Sequence, residues 1–168
     1  LAENSLAFEE GTGTGVLSAV LARRGVRHVV ATDQDRRALA CARENVERLG
    51  MKAQVEVIEA DLFPPGRAPL IVCNPPWVPA KPSSPLEYAV YDPDSRMLRG
   101  FLGGLAEHLE AGGDGWLFFP TWPSTSACDR VPSCSYCSAR PGSSPCCFFA
   151  WKPRPASSWP WASAWWPG

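Results

Sequence analysis

Gly11-Thr12-Gly13-Thr14-Gly15 stands between an apolar segment, Leu6-Ala7-Phe8, and an amphipathic segment over Val16–Arg23. This order predicts a strand, a glycine loop and a helix. Glycines let the backbone approach a ligand closely, and the amino terminus of a helix adds hydrogen-bond donors and positive potential. The spacing is G-x-G-x-G and departs from the dinucleotide pattern G-x-G-x-x-G, so a pyrophosphate cofactor is not the first choice.

The next predicted strand covers residues 28–32 and ends at Asp33, eighteen residues after Gly15. An acidic residue at this place suits the two hydroxyls of a ribose, although it could also cap the following helix. We assign the ribose role to Asp33 and the helix cap to Asp35.

Asn74-Pro75-Pro76-Trp77 follows the apolar segment Leu70-Ile71-Val72-Cys73, which reads as a buried strand. Two consecutive prolines end the strand, and ligands of open α/β sheets bind at the carboxyl ends of strands. The Asn74 side-chain oxygen and the Pro75 carbonyl can accept hydrogen bonds from a planar NH2 group, while Trp77 stacks on its face. The alternative is a proline-rich turn with a buried tryptophan.

Strand and helix patterns alternate along the rest of this part of the chain. A helix is predicted over residues 35–49, and a strand over 54–59 leads to Asp61-Leu62-Phe63. Asp94 is predicted to cap a further helix that Gly112-Gly113 ends, and a fifth strand follows over 115–119. This alternation implies a parallel sheet with right-handed crossovers.

Four motifs in this order, Glu-Gly-Thr-Gly-Thr-Gly, Ala-Thr-Asp, Glu-Ala-Asp-Leu-Phe and Asn-Pro-Pro-Trp, resemble class I S-adenosylmethionine-dependent methyltransferases. The closest group is the small-domain branch that contains the HemK-type protein-glutamine N5-methyltransferases. The resemblance covers residues 6–119 and implies a Rossmann-like, doubly wound α/β sheet.

The resemblance also implies roles for individual residues. The implied cofactor-binding residues, for S-adenosylmethionine, are Glu9, Gly11, Thr12, Gly13, Gly15, Asp33, Asp61, Leu62 and Asn74. The implied catalytic residues are Asn74, Pro75, Pro76 and Trp77. Asp33 would hold the ribose, Asp61 and the Leu62 backbone the adenine, and Asn74 and Pro75 the target nitrogen. Glu10 departs from the family, which has an aliphatic residue here, and a second carboxylate is costly if it is buried.

Composition bounds the possible functions. The 168 residues include 45% hydrophobic types, enough for one core, and no apolar stretch approaches the ~20 residues that span a bilayer. No signal peptide is visible, so we expect a cytoplasmic protein without a membrane partner. Because the chain starts almost inside the first strand, we also expect its amino terminus to be truncated. Residues 1–119 contain twelve Lys and Arg against sixteen Asp and Glu, and this net charge of −4 does not favour a phosphate backbone.

The chain changes character after residue 119. Residues 120–168 hold nine of the eighteen prolines, six of the eight tryptophans and five of the seven cysteines. Cys134 and Cys137 have zinc-ligand spacing, but a second such pair is missing and we expect no metal. If this segment is written in GC-rich codons and read from the third base of the Pro120 codon, it can encode DLAEHLGLRSRPEL. This peptide has leucines at helical spacing, so we favour a frame shift over a natural tail.

We therefore divide the chain into a methyltransferase domain, 1–119, and a disordered tail, 120–168, that lacks the last two strands of the sheet. The edge of the fifth strand is then expected to be unpaired. The expected reaction is N-methylation of a planar amide, with a release-factor-like protein glutamine as the leading substrate. Adenine N6 of DNA or RNA is the alternative, and a nucleotide-binding fragment without catalysis is a further one.

Overall fold

The computed structural model of the chain describes residues 5–84, 87–120 and 146–151. The strands are β1 (Leu6–Glu10), β2 (His28–Asp33), β3 (Val55–Glu59), β4 (Ala68–Cys73), β5 (Leu109–Pro120) and β6 (Cys146–Trp151). The helices are α1 (Val16–Arg23), α2 (Arg36–Arg48) and α3 (Arg96–His108), with 3₁₀ turns at Glu87–Ala89 and Pro93–Ser95. No helix in the described ranges is long and apolar enough to cross a membrane.

The strands form one sheet in the order β3-β2-β1-β4-β5-β6. The first five are parallel to their neighbours, and β6 is antiparallel to β5. The chain moves outward from β1 in one direction to β3 and then returns to β4 on the other side of β1. This reversal is the topological switch point beside which open α/β sheets bind ligands. The predicted Rossmann-like sheet is therefore confirmed.

Helices cover both faces of the sheet. Ala7 of β1 belongs to the core that α1 and α2 cover, whereas its neighbour Phe8 belongs to the core that α3 covers through Phe101 and Leu105. Successive side chains of a strand point to opposite faces, so each of these two residues is buried by a different layer of helices. This explains why β1 begins with three successive apolar residues, as expected for a strand covered on both sides.

Local signals placed the first two helices correctly. The α1 bounds agree with the prediction, and the Asp35 carboxylate caps α2 by accepting a hydrogen bond from the Arg37 amide at 2.9 Å. The predicted cap of α3 is wrong, because Asp94 has a left-handed backbone, φ 56°, and lies before the helix. The cap is Asp92, whose buried carboxylate accepts from the Met97 and Leu98 amides at 3.0 and 3.2 Å.

The fifth strand starts earlier than predicted. Helix α3 ends at His108, and Gly112-Gly113 belongs to β5 rather than ending the helix. The pairing with β4 is irregular here, because Ala68 lies opposite Leu109 while Leu70 lies opposite Asp114. A Cβ at Gly113 would lie 2.8 Å from the Pro69 carbonyl oxygen. Glycine is thus required by close approach within a bulge, and that requirement depends on the neighbouring strand.

Strand β6 changes the expectation for the carboxyl-terminal tail. It pairs with β5 from Gly115 opposite Trp151 to Pro120 opposite Cys146, so the prediction of an unpaired β5 edge is wrong. One antiparallel strand, rather than none, follows β5 in the described sheet. Residues 121–145 and 152–168 lie outside the described residues, as does the Cys134 and Cys137 pair. The domain boundary at residue 119 and the disordered, frame-shifted tail stay predictions.

We expect Asp92→Asn to lower the free energy of unfolding by about 1 kcal/mol, because one of the two oxygens that cap α3 becomes an NH2 group that cannot accept. Urea unfolding of the full chain measures this change. Asp94→Asn is the matched control, since Asn tolerates the left-handed backbone and Asp94 is exposed. Equal losses from both substitutions would contradict the assignment of the cap to Asp92.

Candidate functional site

The register of the central strands brings the predicted motifs together. Glu10, the last residue of β1, lies opposite Thr32 of β2 and Cys73 of β4. The next residues along these strands are Gly11, Asp33 and Asn74, and adjacent strands are about 4.8 Å apart. The glycine loop, the acid that ends β2 and the Asn-Pro-Pro-Trp motif therefore lie side by side at the carboxyl edge of the sheet.

Backbone hydrogen bonds fix the glycine loop. The Thr12 amide donates to the Thr32 carbonyl at 2.8 Å, and the Gly15 amide donates to the Thr12 carbonyl at 2.8 Å. A Cβ at Gly11 would lie 2.3 Å from the Met97 methyl group, because the start of α3 lies against this residue. Among the residues that the structure describes, no heavy atom other than those of Gly13 and its two chain neighbours lies within 4 Å of a Cβ built at Gly13, so this residue faces open space.

Asp33 anchors the same loop. One carboxylate oxygen accepts from the Gly13 amide at 2.9 Å, and the other accepts from the Asp35 amide at 2.9 Å. Each carboxylate oxygen has a second lone pair, so both can also accept hydrogen bonds from ribose hydroxyls. The ribose contact stays a prediction, and the structure adds an anchoring role that the sequence reading missed.

Glu9 lies under the loop on the side of α1. Its carboxylate is buried and accepts hydrogen bonds from the Thr12 hydroxyl, at 2.8 Å, and from the Ser18 hydroxyl. Burial raises the pKa of Glu9 to about 7, because the lost hydration outweighs these two donors. Ser18 was missed by the sequence reading, although a small polar residue on the otherwise apolar buried face of α1 is a usable signal.

Glu10 points to the opposite face from Glu9 and is fully buried. Burial raises the pKa of Glu10 to about 8; the Thr32 hydroxyl lowers it by less, and the Glu9 charge raises it further. The sequence predicted that this second carboxylate would be costly if it were buried, and it is buried.

The Asp61-Leu62 pair forms a turn after β3. Asp61 is exposed and forms a salt bridge with Arg96 at the start of α3, a partner that the sequence reading missed. Leu62 has a left-handed backbone, φ 71°, and its carbonyl accepts a hydrogen bond from the Thr32 hydroxyl at 2.6 Å. The adenine contacts assigned to this turn stay predictions.

The Asn-Pro-Pro-Trp motif is held by the segment before α3. Asn74 is exposed, Pro75 is fully buried, and Trp77 is half-buried. The Trp77 amide donates to the Val90 carbonyl at 2.9 Å, and the Asp92 amide donates to the Val78 carbonyl at 2.8 Å. Pro76 is half-buried. The motif is therefore a fixed turn that presents the Asn74 amide to solvent at the sheet edge.

The polar groups at this edge are suited to an organic ligand. No group of three or more potential metal-ligating side chains occurs among the residues that the structure describes. The edge offers backbone amides, carboxylate acceptors, an exposed amide and an aromatic ring, which can form hydrogen bonds to nucleosides and planar nitrogens and stack on them.

The Rossmann-like sheet carries a glycine loop and an Asn-Pro-Pro-Trp turn at adjacent strand ends. This is the arrangement that the motifs predicted for an S-adenosylmethionine-dependent methyltransferase. The sequence model of the family described as "Methyltransferase small domain" matches residues 4–117. The chain belongs to this family, which confirms the predicted class of S-adenosylmethionine-dependent methyltransferases at the level of the family.

Curated relatives are similar in sequence to this chain over part of their length. The chain is 38% identical over 108 residues to the release factor glutamine methyltransferase of Cereibacter sphaeroides, a match that covers 62% of this chain and 35% of the relative. It is 32% identical over 128 residues to the tRNA1(Val) (adenine(37)-N6)-methyltransferase of Bacteroides thetaiotaomicron, covering 72% of this chain and 52% of the relative. The chain thus spans about a third to a half of these relatives.

A solved structure agrees with the fold. The methyltransferase of Thiobacillus denitrificans, crystallised with S-adenosyl-L-homocysteine, superposes with a TM-score of 0.53 at 22% identity. The match covers 74% of this chain and 45% of that one. At this identity the likeness supports the fold alone.

We expect Asp33→Ala to weaken binding of S-adenosylhomocysteine to the full chain by about 1 to 3 kcal/mol, because ribose hydroxyls and the Gly13 amide both lose an acceptor. Calorimetry measures the affinity. Asp35→Ala is the control, since it removes the α2 cap and about 1 kcal/mol of stability but no acceptor from the glycine loop. Unchanged affinity in Asp33→Ala would contradict the ribose assignment.

Proposed function

We propose that this chain carries the cofactor-binding and acceptor-binding halves of an N-methyltransferase, which transfers a methyl group from S-adenosylmethionine to a planar amide nitrogen. The substrate that we propose is a glutamine side chain of a protein. Gly11, Gly13, Gly15 and Asp33 would bind the methionine and ribose parts of the cofactor. Asn74 and Pro75 would bind the acceptor nitrogen.

The observation that carries this proposal is the in-register pairing of β1 with β4. Because Glu10 lies opposite Cys73, Gly11 and Asn74 begin their loops on adjacent strands at the same level. A cofactor on the glycine loop and a nitrogen on Asn74 would therefore be neighbours. The Asn74 side chain is exposed, so a substrate can reach it.

The chemistry then depends on orientation. The Asn74 side-chain oxygen and the Pro75 carbonyl can each accept one N–H of a planar NH2 group, which points the nitrogen lone pair toward the sulfonium. The nitrogen forms a bond to the methyl carbon as the carbon–sulfur bond breaks, and the nitrogen afterwards loses one proton to solvent. Holding both reactants in line can supply about 7 to 11 kcal/mol of the barrier reduction, so a strong base is not needed.

Two observations favour a protein substrate. The curated relative at 38% identity is named for a release factor glutamine. Without the buried acids Glu9 and Glu10, residues 1–119 contain twelve Lys and Arg against fourteen Asp and Glu, a net charge of −2. A negative surface is unfavourable for a phosphate backbone. A second candidate is adenine N6 of a nucleic acid, which presents the same planar NH2 group. The tRNA adenine methyltransferase supports it, because that match covers more of this chain. The base would have to be flipped or unpaired.

We expect Asn74→Ala to abolish methyl transfer and to leave cofactor affinity within about twofold, because the contact is made to the acceptor nitrogen. Transfer is followed with radiolabelled S-adenosylmethionine, and cofactor affinity by calorimetry. Gln54→Ala is the control, because Gln54 precedes β3 at the opposite edge of the sheet. Transfer that survives Asn74→Ala would contradict the acceptor role.

The substrate class is tested with matched acceptors. We expect label to enter a peptide with glutamine in an exposed loop, and not the same peptide with glutamate, because the carboxylate has no N–H to bind. Label in an RNA oligomer with an unpaired adenine, and not in the peptide, would favour the second candidate. Binding of the cofactor without label in either acceptor would contradict both candidate substrates and favour a nucleotide-binding fragment without catalysis.

A further inference from the structure

The Thr32 hydroxyl lies among three acceptor oxygens. Its Oγ1 is 2.6 Å from the Leu62 carbonyl oxygen, 2.8 Å from a carboxyl oxygen of Glu10, and 3.3 Å from the Glu9 carbonyl oxygen. A hydroxyl has one proton and can donate it to one of these atoms. The shortest distance assigns that proton to Leu62. An ionised Glu10 would then face a lone pair of Oγ1, which is repulsive, whereas a protonated Glu10 could donate to it.

The surroundings of Glu10 also favour the neutral acid. Its second carboxyl oxygen, Oε1, has no hydrogen-bond partner among the described residues. The ionisable groups around this pocket are all acids: Glu9 on β1, Cys73 on β4, Asp92 before α3 and Asp33 at the end of β2. Of these, the Glu9 carboxylate raises the pKa of Glu10 directly, whereas Asp92 acts on Cys73 and Asp33 acts on Glu9.

Resting on the proposed cofactor site, we propose that Glu10 is a neutral carboxylic acid that donates its proton to Thr32 and, through the Thr32 hydroxyl, positions the Leu62 turn for the adenine of the cofactor. Glu10 is thus a positioning residue, which does not itself touch the ligand. The directed chain runs from the Glu10 carboxyl group to the Thr32 oxygen, and from the Thr32 hydroxyl to the Leu62 carbonyl.

The Leu62 turn needs such a restraint. A leucine with φ 71° occupies a left-handed conformation that non-glycine residues rarely adopt, so surrounding contacts must hold it. Its side chain is restrained on the other side by α3, since a Cβ at Gly100 would lie 2.3 Å from a Leu62 methyl group. The Thr32 hydrogen bond fixes the backbone of the same residue. Losing this hydrogen bond would release the turn where the adenine contacts are assigned.

Rising pH should therefore weaken the cofactor site. Burial raises the pKa of Glu10 to about 8, so the acid is protonated at neutral pH and ionises above that value. The ionised form cannot donate to Thr32 and competes with Leu62 for the only hydroxyl proton. Glu9 ionises earlier, with a pKa of about 7, but its two hydroxyl donors are compatible with a carboxylate.

The test measures the affinity of the full chain for S-adenosylhomocysteine by calorimetry at about pH 6.5 and about pH 9. We expect a loss of about tenfold between these values for the natural chain. Glu10→Gln should bind like the natural chain at the lower pH and show a flat profile, because its amide donates to Thr32 without titrating. Thr32→Val should bind weakly at both values, because it keeps the shape but removes the link.

A loss with pH that persists in Glu10→Gln, or weak binding of Glu10→Gln at the lower pH, would overturn the proposal. Infrared difference spectra of the ligand-free chain provide a readout that does not depend on the cofactor. We expect a protonated carboxyl band at about pH 7.5 in the natural chain, and its loss in Glu10→Gln. If that band is present but S-adenosylhomocysteine does not bind at any pH, the cofactor assignment fails while the neutral Glu10 stands. If the band is absent, the neutral Glu10 is wrong.

Discussion

The parallel pairing of β2, β1 and β4 around Glu10 is the constraint on which the rest of the molecule depends. It sets Gly11, Asp33 and Asn74 at one level of the sheet edge. A shift of one residue in β1 would move Ala7 and Phe8 to the wrong faces, and both faces are covered by helices. The two cores therefore enforce the register, and the register assembles the site.

The site includes two adjacent buried acids whose surroundings differ. Glu9 is matched by two hydroxyl donors from the glycine loop and α1. Glu10 is bonded to one hydroxyl group, that of Thr32, which also lies within hydrogen-bond distance of the Leu62 carbonyl oxygen. Both acids reduce stability as pH rises from about 4.5 toward 8, because the unfolded chain ionises them first. Such a local conflict between stability and sequence is characteristic of functional sites.

Asp92 links the two halves of this site. Asp92 caps α3 with its side chain, while its amide is bonded to the turn that follows Trp77. Helix α3 in turn places the Met97 methyl group against Gly11. The Asn-Pro-Pro-Trp motif and the glycine loop are therefore joined through the start of α3, and a change at Asp92 is expected to reach both.

The sequence by itself determined the features that depend on neighbouring residues: the strand–loop–helix unit around Gly11, the bounds of α1 and the Asp35 cap. Apolar periodicity and capping chemistry act within one or two turns of chain, so a short window contains them. Tertiary structure decided that Asp92 rather than Asp94 caps α3, that β5 bulges at Gly113, and that β6 covers the β5 edge. These outcomes, like the acceptors that converge on Thr32, depend on residues far apart in sequence, and only packing brings them within hydrogen-bonding distance.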